Sequence, residues 1–452
     1  MGESRSVRLL RSGAPWLVLA VSLLAIAVWP AVNRHQTAAF ATSASQAAAP
    51  DRDDERRGQL IAFWEGAVAE HHRNDMFSPR QLAGQYLQRY RETGDIGDVL
   101  RAKHMAERSL SIEPRNIAAT AEMAAVMLTL HRFRESLRYV ERNIPYDPSG
   151  AEFRSQQANL LMELGRYDSA ERVLDLIRPG DRSNVAAETT RARYDELTGH
   201  LARARRLLSD ALDQYETLPD SPAQAKAWYF FRAGELAFEA GDNVAAIDDE
   251  RKALAIFPTY NLALKDLAKF ELANHHDREA LEAATKGAAV TPFPETLGYE
   301  ADAQAALGDA RGAAATRDVI YAIERVGNAY NVNDRLLAIY YADHRLRPAD
   351  AYTIARREVA ARGNEIYAQD TLAWAAAMDG RWSAARRASL MATRYGTEDP
   401  VVQFHAGVIA LHAGERAEAK RRLQRAVALN PHFHPVFADE AAATLRREFG
   451  AR

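Results

Sequence analysis

Histidine is the residue type in this chain that most readily binds a metal ion or acts as a general base. The 452 residues include 13 histidines and no cysteine, so an imidazole is the first candidate for a metal ligand or a general base. His405 and His412 are seven residues apart, which places them on one face of a helix. A metal site needs ligands four apart or converging carboxylates. We therefore expect no metal site, with metal or small-ligand binding by the late histidines and acidic residues as the alternative function.

Sequence motifs for catalysis are missing. No Gly-x-x-x-x-Gly-Lys, Gly-x-Gly-x-x-Gly, His-Glu-x-x-His or Gly-x-Ser-x-Gly occurs, so phosphate-loop, dinucleotide, zinc-protease and serine-hydrolase chemistry lack support. Asp and Glu are spread along the chain, where a structural role is the simpler explanation for each. We expect a protein that is not an enzyme, with no catalytic residues and no cofactor.

Three aromatic residues and a carboxylate have helical spacing near the middle of the chain. Trp228, Phe231, Glu235 and Phe238 are separated by three, four and three residues, so they share one stripe of a helix. Large aromatic side chains dominate the binding energy of many interfaces. The alternative is that they pack against neighbouring helices. The residues expected to extend the same binding surface are Lys265, Lys269, Asp370, Trp374, His405 and His412.

The elements that must position these residues repeat along the chain. Glycine, or histidine in its place, recurs at intervals of 34 residues at His131, Gly165 and Gly199, at Gly241 and His275, and at Gly380 and Gly414. A small residue follows five positions later, and in four places a proline follows after seventeen. Glycine adopts positive φ freely, so these positions predict tight turns, and the small residue lets two helices approach closely. Apolar spacings of three and four between the turns predict helices and no strands.

This interval, together with the turn, small-residue and proline positions, resembles the tetratricopeptide repeat (TPR), whose period is about 34 residues. The resemblance implies an all-α fold, an α-solenoid superhelix of about ten helix-turn-helix repeats with a concave groove that binds a protein or peptide. The mixed charges of the groove candidates favour an extended peptide over an acidic tail. The repeats begin near Arg80, Ile117, Ala151, Val185, Ala227, Asn261, Pro294, Asn331, Ile366 and Pro400.

An uncharged segment lies near the amino terminus. Residues 12–33 carry no charge, and Arg5, Arg8 and Arg11 precede them. This pattern predicts a transmembrane helix or signal peptide that leaves the repeats outside the cytoplasm. We expect a single-pass protein of a bacterial inner membrane, or a periplasmic or secreted protein if the leader is cleaved. The layout is similar to that of membrane-anchored or exported bacterial TPR proteins.

The charge balance bears on the class of partner. Lys and Arg number 58 against 61 Asp and Glu, which gives a net charge of −3. A nucleic-acid surface usually needs a basic excess, so we expect a protein or peptide partner and no nucleic acid. The predicted segments are a membrane anchor or signal peptide (1–36), a flexible linker (37–54), a capping helix (55–79), the TPR array (80–432) and a C-terminal capping helix (433–452).

Overall fold

The computed structural model describes residues 52–70, 72–147, 150–181, 184–217, 221–330 and 335–450. Within these ranges every regular element is a helix, which confirms the all-α prediction. Short 3₁₀ turns lie at Ile144–Tyr146 and Pro179–Asp181. The α-helices are α1 (Arg52–Ala69), α2 (Phe77–Thr93), α3 (Ile96–Ile112), α4 (Ile117–Thr129), α5 (Phe133–Asn143), α6 (Glu152–Glu163), α7 (Tyr167–Asp175), α8 (Val185–Leu197), α9 (Leu201–Glu216), α10 (Ala223–Glu239), α11 (Asn243–Ile256), α12 (Asn261–Ala273), α13 (Asp277–Val290), α14 (Pro294–Ala306), α15 (Ala310–Tyr330), α16 (Arg335–Asp343), α17 (Pro348–Arg362), α18 (Ile366–Met378), α19 (Trp382–Ala392), α20 (Pro400–His412), α21 (Arg416–Leu429) and α22 (Phe437–Phe449).

The helices between α1 and α22 follow one another as ten pairs, from α2 with α3 to α20 with α21. The turn inside a pair has positive φ, as at Gly199 (78°) and Gly241 (79°). His131 and His275 adopt φ of 55° and 61°, which confirms that histidine fills the glycine position of two turns. Ala246 and its equivalents at the small-residue position are fully buried. The chain is therefore a TPR-like helical repeat.

Contacts divide the described part of the chain into two compact units, the first formed by residues up to Val126 with 322–330 and the second by 127–321 with 335–450. In the first unit α2 packs between α1 and α3. Its core includes Leu82 and Val99, and the guanidinium of Arg89 donates to the buried carboxylate of Asp98 at 2.6 and 2.7 Å.

In the second unit, three turns contact segments that lie six hairpins later along the chain. A Cβ atom at Gly165 would lie 2.2 Å from the carbonyl carbon of Asn364, and one at Gly199 would lie 2.3 Å from the carbonyl oxygen of Gly396. One at Gly241 would lie 2.5 Å from the carbonyl oxygen of Leu429. Three successive turns thus meet the loops before α18, α20 and α22, and only a residue without a side chain fits there.

Hydrogen bonds tie the same hairpins together. The backbone N–H of Ile366 donates to the hydroxyl of Tyr167 at 3.1 Å, and the side-chain amide of Asn430 donates to the carbonyl of Phe238 at 2.6 Å. The Tyr395 hydroxyl lies 2.6 Å from the carboxylate of Asp168. The second unit therefore closes on itself, so the inner faces of its helices border confined spaces instead of the wide groove that the sequence suggested.

The predicted location of the protein is wrong. Of the helices in the described ranges, none combines the length and the apolar character needed to cross a membrane. This finding contradicts a single-pass inner-membrane protein. The uncharged segment 12–33, on which that prediction depended, and residues 37–51 of the predicted linker lie outside the described residues.

Candidate binding site

The first helices of two neighbouring hairpins, α8 and α10, carry an alternating row of charges. Arg193 and Glu196 stand three apart on α8, and Arg232 and Glu235 stand three apart on α10. The guanidinium of Arg232 contacts both Glu196 and Glu235, and Arg193 also contacts Glu196. Burial opposes the charge of Arg232, but the two carboxylates outweigh it and raise the pKa of its guanidinium. These ion pairs fix the spacing of the two helices on their inner side.

A cavity of about 240 Å³ borders this row of charges. It is only partly enclosed, and its walls combine the indole of Trp228 with apolar side chains and two guanidinium groups. We call it the Trp228 cavity, and the lining residues used below are Asn159, Arg193, Trp228, Arg232 and Leu236. Its volume suits a side chain or a short segment of a partner rather than a large cofactor.

A second cavity of about 50 Å³ lies further along α10. We call it the acid cavity, because four carboxylates line it, those of Glu235, Glu239, Asp266 and Asp399. The single cationic residue in its wall is Lys269. The rings of Phe238 and Phe270, stacked with centroids 4.1 Å apart, and Phe433 complete the wall. The cavity thus joins an apolar wall to an excess of negative charge.

The pKa values of the acid-cavity carboxyl groups are shifted in different directions. Burial, with the nearby carboxylates of Glu196 and Asp399, raises the pKa of Glu239 well above its usual range. Burial also raises the pKa of Asp266 to about 6, although Lys265 opposes the shift. Burial acts to raise the pKa of Glu235 too, but the guanidinium of Arg232 more than compensates and lowers it. The crowding of like charges makes this cavity receptive to a cation.

One acceptor in the acid cavity has no partner. Asp266 is 3 % exposed. Its Oδ1 atom lies 2.9 Å from Nζ of Lys265, whereas its Oδ2 atom is buried without a hydrogen bond in the described part of the chain. An unsatisfied buried acceptor costs about 1–3 kcal/mol. A donor brought by a ligand would recover that free energy.

Five of the predicted binding residues belong to these two cavities or their rim, Phe238 among them. Trp228 lines the Trp228 cavity, and Glu235 and Lys269 line the acid cavity. Lys265 pairs with Asp266 beside it. The structure therefore brings together the residues that the sequence placed on α10 and α12.

Phe231 and Phe238 are both buried, although Phe238 also lines the acid cavity. They are 5 % and 3 % exposed, and Phe231 packs edge-on against Tyr260 at 5.8 Å. At about 100° per residue, both phenylalanines are turned roughly 60–80° away from Trp228, toward α12. Phe231 belongs to the core, whereas Phe238 packs on Phe270 and forms part of the acid-cavity wall.

Arg232 and Glu239 were missed by the sequence analysis. They lie four and eleven residues after Trp228, within roughly 40° of it around the helix axis. A helical wheel centred on Trp228 with steps of four, three and four would have found them, whereas steps of three, four and three led to the two buried phenylalanines.

The late candidates form a packed cluster instead of a groove. His405 is 1 % exposed, with Nδ1 lying 2.9 Å from Oδ2 of Asp370 and its ring stacked 4.2 Å from Trp374. The indole N–H of Trp374 donates to Asp343 at 2.9 Å. We call these four residues the His405 cluster. They are held in place because α18 and α20 pack directly on each other there, and this corrects their expected role as groove residues.

His412 is separate from His405. It is the last residue of α20, exposed, with its ring stacked 3.5 Å from Trp382. Seven residues advance a helix by about 10 Å, so a shared face does not bring the two imidazoles together. Across the described ranges, no group of three or more His, Cys, Asp or Glu residues is arranged to hold a metal ion.

Comparisons with known proteins add little about function. No family model and no curated protein matches this sequence. A solved structure of the human IFIT1 dimer with PPP-AAAA is similar, with a TM-score of 0.42 and 16% sequence identity over 83% of this chain and 78% of that chain. A match at this level gives no information about the ligand of the present chain.

Proposed function

We propose that this chain is a non-catalytic binding protein whose second unit holds an extended peptide segment of a partner protein. The observation that supports this most directly is the pair of partly open cavities that follow each other along α10. Each is lined by side chains whose size and charge exceed what packing needs, Trp228 in one and Glu239 in the other. TPR-like repeats present such positions on the first helix of each hairpin.

The side chains that line the cavities favour recognition over catalysis. The guanidinium groups of Arg193 and Arg232 are balanced by the carboxylates of Glu196 and Glu235 in fixed ion pairs, so they act as a rigid frame. An extended peptide fits this frame because its backbone donors and acceptors can pair with amide, hydroxyl and guanidinium groups such as those of Asn159 and Arg193 while its side chains enter the cavities. Binding energy would come mainly from burial of an apolar side chain against Trp228.

Charge supports a peptide over a nucleic acid. The acid cavity holds four carboxylates and one lysine, and a phosphodiester backbone next to them would be repelled. The two guanidinium groups of the Trp228 cavity do not offset this repulsion, because they are already paired with the carboxylates of Glu196 and Glu235.

A peptide selection tests this function. A library of random hexapeptides, N-acetylated and C-amidated, is selected on the purified full chain, and the affinities of the enriched peptides are measured by titration calorimetry. Trp228→Ala should weaken binding at least about tenfold, since a buried tryptophan is a typical binding hot spot. Trp382→Ala removes the same side chain from α19, where it stacks on His412, and should leave binding unchanged.

The outcomes of that test are distinct. Circular dichroism of both variants checks that helicity is retained. Absence of any enriched peptide, or equal affinities for Trp228→Ala and the unsubstituted chain, would overturn the proposal. Tighter binding of a single-stranded oligonucleotide than of any peptide would replace it by a nucleic-acid function.

A further inference from the structure

We infer that the acid cavity takes the ammonium or guanidinium group of a lysine or arginine side chain of the bound peptide. The inference depends on the proposed peptide-binding function and adds the chemistry of one recognised residue. It also fixes the distance of that residue from a second one, an apolar or aromatic residue in the Trp228 cavity.

Carboxyl groups outnumber cations in the wall of the acid cavity. Glu235 is paired with Arg232, and Lys269 lies 5.5 Å over the ring of Phe238. Among the described residues Glu239 forms neither an ion pair nor a hydrogen bond through its carboxylate, and Asp399 uses Oδ1 to cap α20 through the N–H groups that follow it at 2.7 and 3.1 Å. Glu239 and Asp399 therefore have no cationic partner among the described residues, and a cation bound in the cavity would favour their ionised forms.

One carboxylate oxygen of Asp266 has no hydrogen-bond donor in the described ranges. Its Oδ2 atom is buried, lacks a donor in the described ranges and belongs to a residue that lines the cavity. Ammonium and guanidinium groups carry several donors and no acceptor, so one such group can satisfy Asp266 and neutralise Glu239 together. An anionic or purely apolar group would leave both unsatisfied.

The volume of the acid cavity also fits a cationic head group. The volume of about 50 Å³ exceeds the roughly 10–15 Å³ that a cavity needs to hold one water molecule, and it admits a single cationic head group. The phenylalanine rings of the wall suit the methylene stem of lysine or arginine, which packs on apolar surface while its charged end stays among polar groups. Lys269 already lies over Phe238 in this way.

The distance between the two cavities sets the spacing in the peptide. Along α10, Trp228, Arg232 and Leu236 line the Trp228 cavity, while Glu235 and Glu239 line the acid cavity together with Phe238. The centres of these two sets differ by about five residues, or about 8 Å of helix. An extended peptide advances about 3.3 Å per residue. The cation and the apolar side chain should therefore be two or three positions apart.

The hexapeptide selection on the full chain provides the first readout. Lysine or arginine should be enriched at one position, with an aromatic or large aliphatic residue two or three positions away. In the best peptide that cation is then replaced by norleucine, which keeps the stem and removes the charge. The unsubstituted chain should prefer the cationic peptide by about tenfold or more, as expected for a charge-assisted hydrogen bond.

Two variants separate the cavity from general charge effects. Glu239→Gln should reduce the preference for lysine over norleucine at least about fivefold, because the amide keeps the shape but not the charge. Glu282→Gln removes the same charge from an exposed residue of α13 and should leave the preference intact. Equal losses in the two variants, or equal binding of both peptides to the unsubstituted chain, would overturn the inference.

The selection also distinguishes this inference from the proposed function. Enriched peptides without a cationic position would overturn the inference and leave peptide binding standing, whereas no enriched peptide would overturn both. A melting midpoint raised by putrescine, with no cation in the selected peptides, would assign the cavity to free amines instead.

Discussion

The inner face of α10 and α12 and the His405 cluster contain similar residue types, yet only the first leaves room for a ligand. Around Glu239 carboxylates outnumber cations, and a cavity remains between them. In the His405 cluster Asp370 faces an imidazole and Asp343 faces an indole N–H. Stacked rings fill the space around them. For example, the ring centroids of Phe404 and Phe437 are 4.9 Å apart.

The difference shows that a residue on the inner face of a repeat becomes a binding residue only when the facing hairpin leaves it unpaired. Trp374 meets His405 at 4.2 Å and is 1 % exposed, whereas Trp228 borders a cavity. The type of residue is the same, so its partner across the unit determines its role.

The largest loss of stability is expected when the contact between Gly199 and Gly396 is disrupted, because this contact helps to close the unit that contains both regions. Gly199→Ala forces an alanine to a φ of 78° and places its Cβ atom 2.3 Å from the carbonyl oxygen of Gly396. We expect a loss of about 3–5 kcal/mol, from left-handed strain and steric overlap together. Chemical denaturation followed by circular dichroism measures it.

A second glycine provides the matched control. Gly414 has a φ of 79°, but no atom lies within 4 Å of an added Cβ, so Gly414→Ala should lose only the strain of about 1–2 kcal/mol. Equal losses for Gly199→Ala and Gly414→Ala would mean that the hairpins six apart do not touch in solution.

These glycines mark the limit of what the sequence predicts about the fold. The helical pairs and their turns follow from local rules, since the constant repeat interval, the buried alanines and positive φ at His131 and His275 all depend on neighbouring residues. Gly199 and Gly414 obey the same local rule. Only the folded unit distinguishes them, because Gly396 belongs to a hairpin far from Gly199 in the sequence and meets it through tertiary packing.

The candidate site was predicted in part for a similar reason. Trp228, Glu235 and Lys269 were found because they lie on one or two helices, where spacing determines the face. Asp399 was missed because it reaches the acid cavity from the start of α20, far along the chain from α10. His405 was misassigned since its burial depends on Trp374 and Asp370 of another hairpin.

A smaller effect sharpens the comparison within the His405 cluster. Asp370→Asn should cost about 3 kcal/mol, because it breaks a buried pair and leaves the imidazole of His405 without its carboxylate. The same carboxylate-to-amide change at Glu239 should not lower the free energy of unfolding. Urea unfolding of both variants at neutral pH compares the packed cluster with the open cavity, and similar losses would contradict the distinction drawn between them.

The smallest effect is the dependence of stability on pH. Burial acts to lower the pKa of His405, but Asp370 outweighs burial and raises it. Protonated His405 thus contributes stability that is complete below its unfolded pKa and is lost as pH rises through the folded one. Asp370→Asn should remove this loss above about pH 6.5.

Glu239 should act in a different pH range. Its folded pKa is raised by burial and by the carboxylates of Glu196 and Asp399, so the protein is most stable below the unfolded pKa and loses stability as pH rises from about 4.3. Glu239→Gln should match the unsubstituted chain at pH 4 and exceed its stability by up to about 1 kcal/mol at pH 8, the size of one like-charge contact at about 4 Å in water. Thermal unfolding across this range measures the difference. A stability gain for Glu239→Gln that is equal at pH 4 and pH 8 would show that the carboxylate is not titrating, and that the acid cavity does not repel charge as its geometry requires.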